Sequence, residues 1–116
     1  MDSKKKNRKD MILEYKERPI TGGVYKITNI ANRKYILVAD IDLQSAKNRF
    51  DFSVKYDSVV LLKLAKDWKE YGGNQFTFEI LEEIEMKDSQ GRKDFKEDLK
   101  ILKNMWSEKY DSTKSY

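Results

Sequence analysis

The chain has 116 residues, a length that fits one domain with a real core and is too short for two. Charged residues (38%) nearly equal hydrophobic ones (39%), and 24 Lys and Arg against 20 Asp and Glu leave a net charge of only +4, which suits a polyanionic partner or simply a well-solvated surface. The lack of Cys and His excludes disulfides, thiolate or imidazole metal sites and thiol or imidazole catalysis, so chemistry falls to Asp, Glu, Tyr, Lys and Arg, and any metal would be a hard, oxygen-bound ion such as Mg²⁺.

At the N-terminus a basic cluster, Lys4-Lys5-Lys6-Asn7-Arg8-Lys9, precedes Met11, Ile12 and Tyr15 at roughly helical spacing, which predicts a short helix ended by Pro19. The cluster reads first as a solvated terminus and second as an arm for phosphates. Gly23 to Asn29 and Lys34 to Val38 are short β-branched and aromatic runs bounded by turn residues, a hairpin linked through Asn29, Asn32 and Arg33. In the first strand Tyr25 and Ile27 face one way and Val24, Lys26 and Thr28 the other, with one face expected to be wet. The second strand, Tyr35 to Asp40, is apolar on both faces and is expected at the centre of a sheet.

Leu43, Ala46 and Phe50 after Asp42 suggest a short helix, Val54 to Asp57 a connector, and Ser58 the N-cap of a stronger helix with Val60, Leu61, Leu64, Ala65, Trp68 and Tyr71 on its apolar stripe, stopped by Gly72-Gly73. Alternation from Gln75 to Leu81 predicts a third strand. Asp94 and Glu97 form a capping-box variant before a helix that repeats Phe95, Leu99, Leu102 and Trp106 and runs to about Glu108. The expected architecture is α+β: a three-stranded antiparallel sheet flanked by helices, with a basic helix appended at 1–20, the domain proper at 21–109 and a flexible tail at 110–116. The longest aliphatic run, Val59 to Leu62, is far too short to span a membrane and no signal-type apolar region follows the N-terminal charges, so a soluble cytoplasmic protein is expected.

Gly23-Val24-Tyr25 and Tyr35-Ile36-Leu37 resemble the two motifs that name the GIY-YIG nuclease superfamily. The turn through Thr28-Asn29 and Asn32-Arg33-Lys34, with Arg33 where a glycine is common, is similar to the family's hairpin. Trp68-Lys69-Glu70-Tyr71-Gly72 followed by Phe76 to Glu82 is similar to its helix-glycine-strand passage. The resemblance spans about Gly23 to Trp106, and small stand-alone bacterial members look like this chain in length.

It implies hydrolysis of a nucleic-acid phosphodiester by a first-motif tyrosine as general base, a second-motif tyrosine, an arginine on the helix after the hairpin, and a glutamate on a later helix holding one divalent metal. Tyr25 and Tyr35 match the tyrosines, although either ring is equally at home as a packed strand residue. Leu37 replaces a glycine and adds bulk where the backbone lies close to the site. The family arginine falls near Ser45 or Ala46, leaving Arg49 as a displaced substitute or as a solvated surface residue. Lys103 stands where the glutamate belongs, reversing the charge, with Glu79, Glu82, Glu97 and Asp98 as the carboxylates that would have to reach in.

These departures make Tyr25, Tyr35 and Arg49 a vestigial or displaced catalytic set. They imply no metal or cofactor, Mg²⁺ entering only if cleavage persists. Nucleic acid is the expected partner, through Lys26, Arg33, Lys34, Lys47, Arg49 and Lys103, with little or no cleavage. The alternatives are an active metal-dependent endonuclease and a protein-interaction or regulatory module on the same fold. DNA or RNA preference and oligomeric state are not written in the sequence.

Overall fold

Period-two apolar patterning and well-placed turn residues produce three antiparallel strands in the computed structural model, which describes residues 21–87 and 90–116. The basic N-terminal helix predicted for 1–20 lies outside the described residues. The strands are β1 (Thr21–Asn29), β2 (Tyr35–Asp40) and β3 (Phe76–Glu85), in the spatial order β2-β1-β3. The sheet with its flanking helices is the expected α+β arrangement, but β1, not β2, is central. The two-sided apolar pattern of β2 arises because the helix Arg92–Ser107 packs on one of its faces and Ile36 and Val38 on the other join the core with Val60 and Leu61. On β1 no face is left wet, since Val24, Tyr25 and Ile27 are all buried. Lys26 lays its stem across the sheet to bring Nζ 3.7 Å from Glu79 and 4.6 Å from the Tyr110 ring.

The hairpin closes through its own polar residues. Arg33 N–H donates to the Asn29 carbonyl (2.7 Å), Asn29 Oδ1 accepts from Ala31 N–H, and Asn32 Oδ1 accepts from Lys34 N–H. Arg33 takes φ 64°, the left-handed region, which accounts for the glycine common at this position in the family it resembles.

Helix α1 (Leu43–Lys55) starts where expected, with Asp42 as N-cap accepting from Ser45 N–H, but extends over Val54 and Lys55, the first half of the stretch read as a connector. The helix after it is shorter than predicted. Ser58 caps nothing; a single 3₁₀ turn (Leu62–Leu64) leads into α2 (Ala65–Tyr71), which ends as Gly72 turns to φ 86°. Helix α3 (Arg92–Ser107) begins at Gly91, whose carbonyl accepts from Phe95 N–H, so Asp94 lies inside the first turn and no capping box forms.

One face of the sheet packs Tyr25 and Ile27 against Leu43, Ala46, Phe50, Leu64, Trp68 and Phe76. Its rings interlock, with Phe50 edge-on to Trp68 at 6.3 Å and Trp68 stacked on Phe76 at 4.7 Å. The other face receives Phe95 and Leu99 of α3, both 1% exposed. The segment 110–116, expected to be a flexible tail outside the domain, packs on it instead. Tyr116 N–H donates to the Tyr35 carbonyl (2.8 Å), Ser115 pairs in parallel with Tyr35, and the Tyr116 hydroxyl donates to Asp67 Oδ2 (2.6 Å). Among the described residues no helix is long and apolar enough to cross a membrane.

Candidate active site

Tyr25 sits in the middle of the central strand, opposite Val38 on β2 and Ile80 on β3, and points to the face that α1 covers. Its ring stacks on Phe78 at 4.5 Å. Because Asp42 starts α1 directly after β2, Arg49 two turns along reaches back over the end of that strand. Its Nη2 lies 2.8 Å from Asp40 Oδ2. The same guanidinium bears on the Tyr25 hydroxyl. Burial pushes the Tyr25 pKa up, the Asp40 charge adds to this, and the Arg49 charge and hydrogen bond oppose it without reversing it. The phenol therefore keeps its proton near neutral pH.

Both neighbouring carboxylates are already engaged. Asp40 Oδ1 accepts from Asp42 N–H (2.9 Å) while Oδ2 holds Arg49. Asp42 accepts from the Ser45 hydroxyl (2.8 Å) and Ser45 N–H (3.1 Å), bonds that hold its carboxyl below the usual carboxylate range. The sequence alone does not point to Asp40 and Asp42 for chemistry. The available signal was the Asp42 cap position; the meeting of Asp40 with Arg49 depends on how α1 folds back onto the sheet.

Tyr35 does not join this site. In the hairpin register Tyr25 opposes Val38 and Thr28 opposes Tyr35, so the two tyrosines, at an odd separation along the paired strands, emerge on opposite faces. The Tyr35 hydroxyl donates to the Asp111 carbonyl (3.1 Å) and its ring meets Tyr110 at 5.4 Å. Its pKa is raised by burial first, then by Asp111 and Tyr110. Ile36 and Val38 share the Tyr25 face. Leu37 is buried on the α3 face, so its bulk crowds that helix rather than the Tyr25 hydroxyl.

The basic residues expected to meet nucleic acid are spread over the molecule. Lys47 and Arg49 belong to α1 on the Tyr25 side; Lys47 pairs with Asp51 and lies 5.6 Å from the Phe78 ring centre. Arg33 and Lys34 stand at the hairpin tip, where Lys34 lies 5.7 Å from the Tyr116 ring centre. Lys26 is on the opposite face. Lys103 lines a groove along the outer edge of β2.

Three of the four carboxylates named from the sequence as candidates for a divalent ion have partners of their own. Glu82 accepts from Trp106 Nε1 (2.8 Å), Glu79 faces Lys26, and Asp98 accepts from Gln90 (2.6 Å). Asp40 beside Tyr25 would have to give up Arg49 to take a metal. Among the described residues no three Asp or Glu side chains gather.

No protein-family model matches the chain, and no curated protein matches it. Two solved structures do. The catalytic domain of homing endonuclease I-TevI is 24% identical over 82% of this chain and 95% of its own, with a TM-score of 0.59. A mutant of the catalytic domain of intron endonuclease I-TevI is 22% identical over 84% of this chain and 92% of its own, also at 0.59. The likeness is one of fold: the chain has the GIY-YIG nuclease fold.

Proposed function

We propose that the chain is a nucleic-acid-binding domain on the GIY-YIG fold with little or no phosphodiester cleavage. The observation that carries this reading is Arg49. Its guanidinium, 58% exposed on the side chain, stands beside the buried Tyr25 hydroxyl with Asp40 as its ionic partner. A backbone phosphate entering this face can compete with Asp40 for the planar fork. Tyr25 is a poor base for the attack that would follow, because its environment favours the protonated phenol. Lys103 adds positive charge where the family resemblance calls for a metal-binding carboxylate, which favours holding phosphate over cleaving it. Both structural neighbours are named as endonuclease catalytic domains, which supports a nucleic-acid partner.

Fluorescence anisotropy with labelled single-stranded DNA, duplex DNA and RNA tests the reading. Binding is expected at low salt and should weaken steeply as salt rises, and Arg49→Ala should reduce the slope of log K against log salt by about 1. No affinity for any of the three probes at low salt overturns the proposal.

A second reading, active cleavage, is favoured by the juxtaposition of Arg49 with Tyr25. Supercoiled plasmid incubated with Mg²⁺ or Mn²⁺ separates the two. No nicking beyond that of Tyr25→Phe is expected; nicking that this substitution abolishes selects the endonuclease.

A further inference from the structure

We propose that the outer edge of β2 is a docking groove for an extended, acidic protein segment that adds to the sheet as a fourth strand. The groove, of about 960 Å³, runs along Ile36 to Ile41, between the Val60–Lys63 segment on one side and α3 on the other. The groove adjoins the Arg49 site, since Asp40 lines it and Lys103 stands on its rim, and the oligonucleotide comparison in the test below separates peptide docking from the nucleic-acid binding proposed above.

The backbone at this edge is oriented for pairing. In an antiparallel ladder the N–H and C=O of one residue point the same way and alternate between residues. The Tyr35 carbonyl points outward, since it accepts from Tyr116 N–H. Leu37 and Ala39, two and four residues on, therefore direct both their polar groups into the groove. Nothing among the described residues pairs with them on that side. The chain's own Ser115 and Tyr116 already pair with the first residue of the edge, so the edge supports strand addition.

Edge strands that avoid partners usually carry lysine, proline or a bulge on the strand itself. Here β2 reads Tyr-Ile-Leu-Val-Ala-Asp, with no basic residue, proline or register break, and its one charge, Asp40, is bound to Arg49. The lysines stand on the rims instead: Lys63 on one side and Lys96, Lys100 and Lys103 on α3. Leu61 and Leu99 contribute apolar lining between them. An apolar floor, unpaired backbone groups and a cationic rim match a strand with alternating apolar and acidic side chains better than a nucleic-acid backbone, which offers no ladder to pair with.

A labelled decapeptide of alternating Glu and Val is the probe, with its Lys-Val counterpart and a single-stranded oligonucleotide as comparisons. With the full chain labelled with ¹⁵N, the Glu-Val peptide should shift the Leu37 and Ala39 amides and slow their hydrogen exchange at least about tenfold. Lys100→Glu with Lys103→Glu, on the exposed and half-exposed side of α3, should weaken that peptide at least about tenfold. Ala39→Pro, which removes one outward donor, should weaken it with circular dichroism unchanged; if this variant misfolds, the charge-reversal pair and the amide data decide alone. Equal binding of the Lys-Val peptide, displacement by the oligonucleotide instead, or protection of these amides only as the chain self-associates at high concentration each overturns the proposal, as does an absence of any change at Leu37 and Ala39.

Discussion

Gly23, the first residue of the first motif, is held to a bare backbone by the neighbouring strand. The β1–β3 register shifts between Val24 and Tyr25, one residue past Gly23, which pairs with Glu83. A Cβ added there would lie 1.9 Å from the Glu82 carbonyl oxygen and 2.9 Å from its carbon, both backbone atoms that no rotamer change can move. Gly23→Ala must therefore part the two strands at the point that sets Tyr25 on its face. It should cost about 3 kcal/mol or more, within the range where steric insertion into packed structure becomes severe. Urea unfolding checks this through a lowered midpoint at an unchanged slope. A loss under about 0.5 kcal/mol, the level of a neutral surface change, would mean that the irregularity relaxes freely. The same residue-scale logic explains Arg33: its φ of 64° is the torsion that a glycine would occupy without strain, and the surrounding Asn29 and Asn32 hydrogen bonds hold an arginine there instead.

At the scale of one element, α1 depends on its N-cap and connects the sheet to the site. Asp42 satisfies the Ser45 N–H and hydroxyl, so Asp42→Ala should cost about 1 kcal/mol at neutral pH and loosen the helix that carries Arg49. The capped carboxyl has a folded pKa below its ordinary 3.8, with the Ser45 hydroxyl as the main cause. A lowered folded pKa gives stability that is fully present above the unfolded value and is lost as pH falls through the folded one. Asp42→Asn keeps a capping oxygen without a titrating group. Denaturation midpoints between pH 6 and pH 2 should therefore fall less steeply in Asp42→Asn than in the parent, and a parallel acid limb in both would remove Asp42 from the account.

Elements of this kind were legible because their signals are local. Alternation and turn residues placed both ends of β2, and Asp42 marked the start of α1. What stayed illegible depends on contacts between elements. Two-sided apolarity in β2 reads as a central strand until α3 on one face and the Val60–Leu61 segment on the other are known to cover it. The separation of Tyr25 from Tyr35 follows from hairpin register, which a one-residue change in turn length would invert. Asp40 and Arg49, nine residues apart, meet only after α1 has folded back.

Across the whole molecule, the last residues join parts of the chain that are distant in sequence. The Tyr116 hydroxyl sits between Asp67 of α2 and the fully buried Asn29 at the hairpin, donating to Asp67 Oδ2 at 2.6 Å and accepting from Asn29 Nδ2 at 3.2 Å. Asn32 Nδ2 donates to the same Asp67 oxygen at 2.9 Å, so hairpin, helix and C-terminal segment share one polar node. Burial and the Asp67 hydrogen bond push the Tyr116 pKa from 10.0 up to about 12, while that bond is the main cause holding Asp67 below 3.8. For a group whose folded pKa is raised, the stabilisation is complete below the unfolded value and disappears as pH climbs through the folded one. The window for Tyr116 is thus pH 10 to 12, and the raised values of Tyr25 and Tyr35 act with the same sign. Tyr116→Phe keeps the ring but leaves the buried Asn29 amide and the Asp67 carboxylate each short of a partner. Losing a hydrogen bond to a charged group should cost about 2 kcal/mol at pH 7. Urea midpoints measured at pH 7 and pH 11 should then show the parent losing more stability than the variant over that interval. The Asp67 carboxyl, followed by NMR, should titrate closer to its ordinary value in the variant. Equal alkaline losses in both proteins, with an unshifted Asp67, would mean that the C-terminal segment rests on the domain without stabilising it.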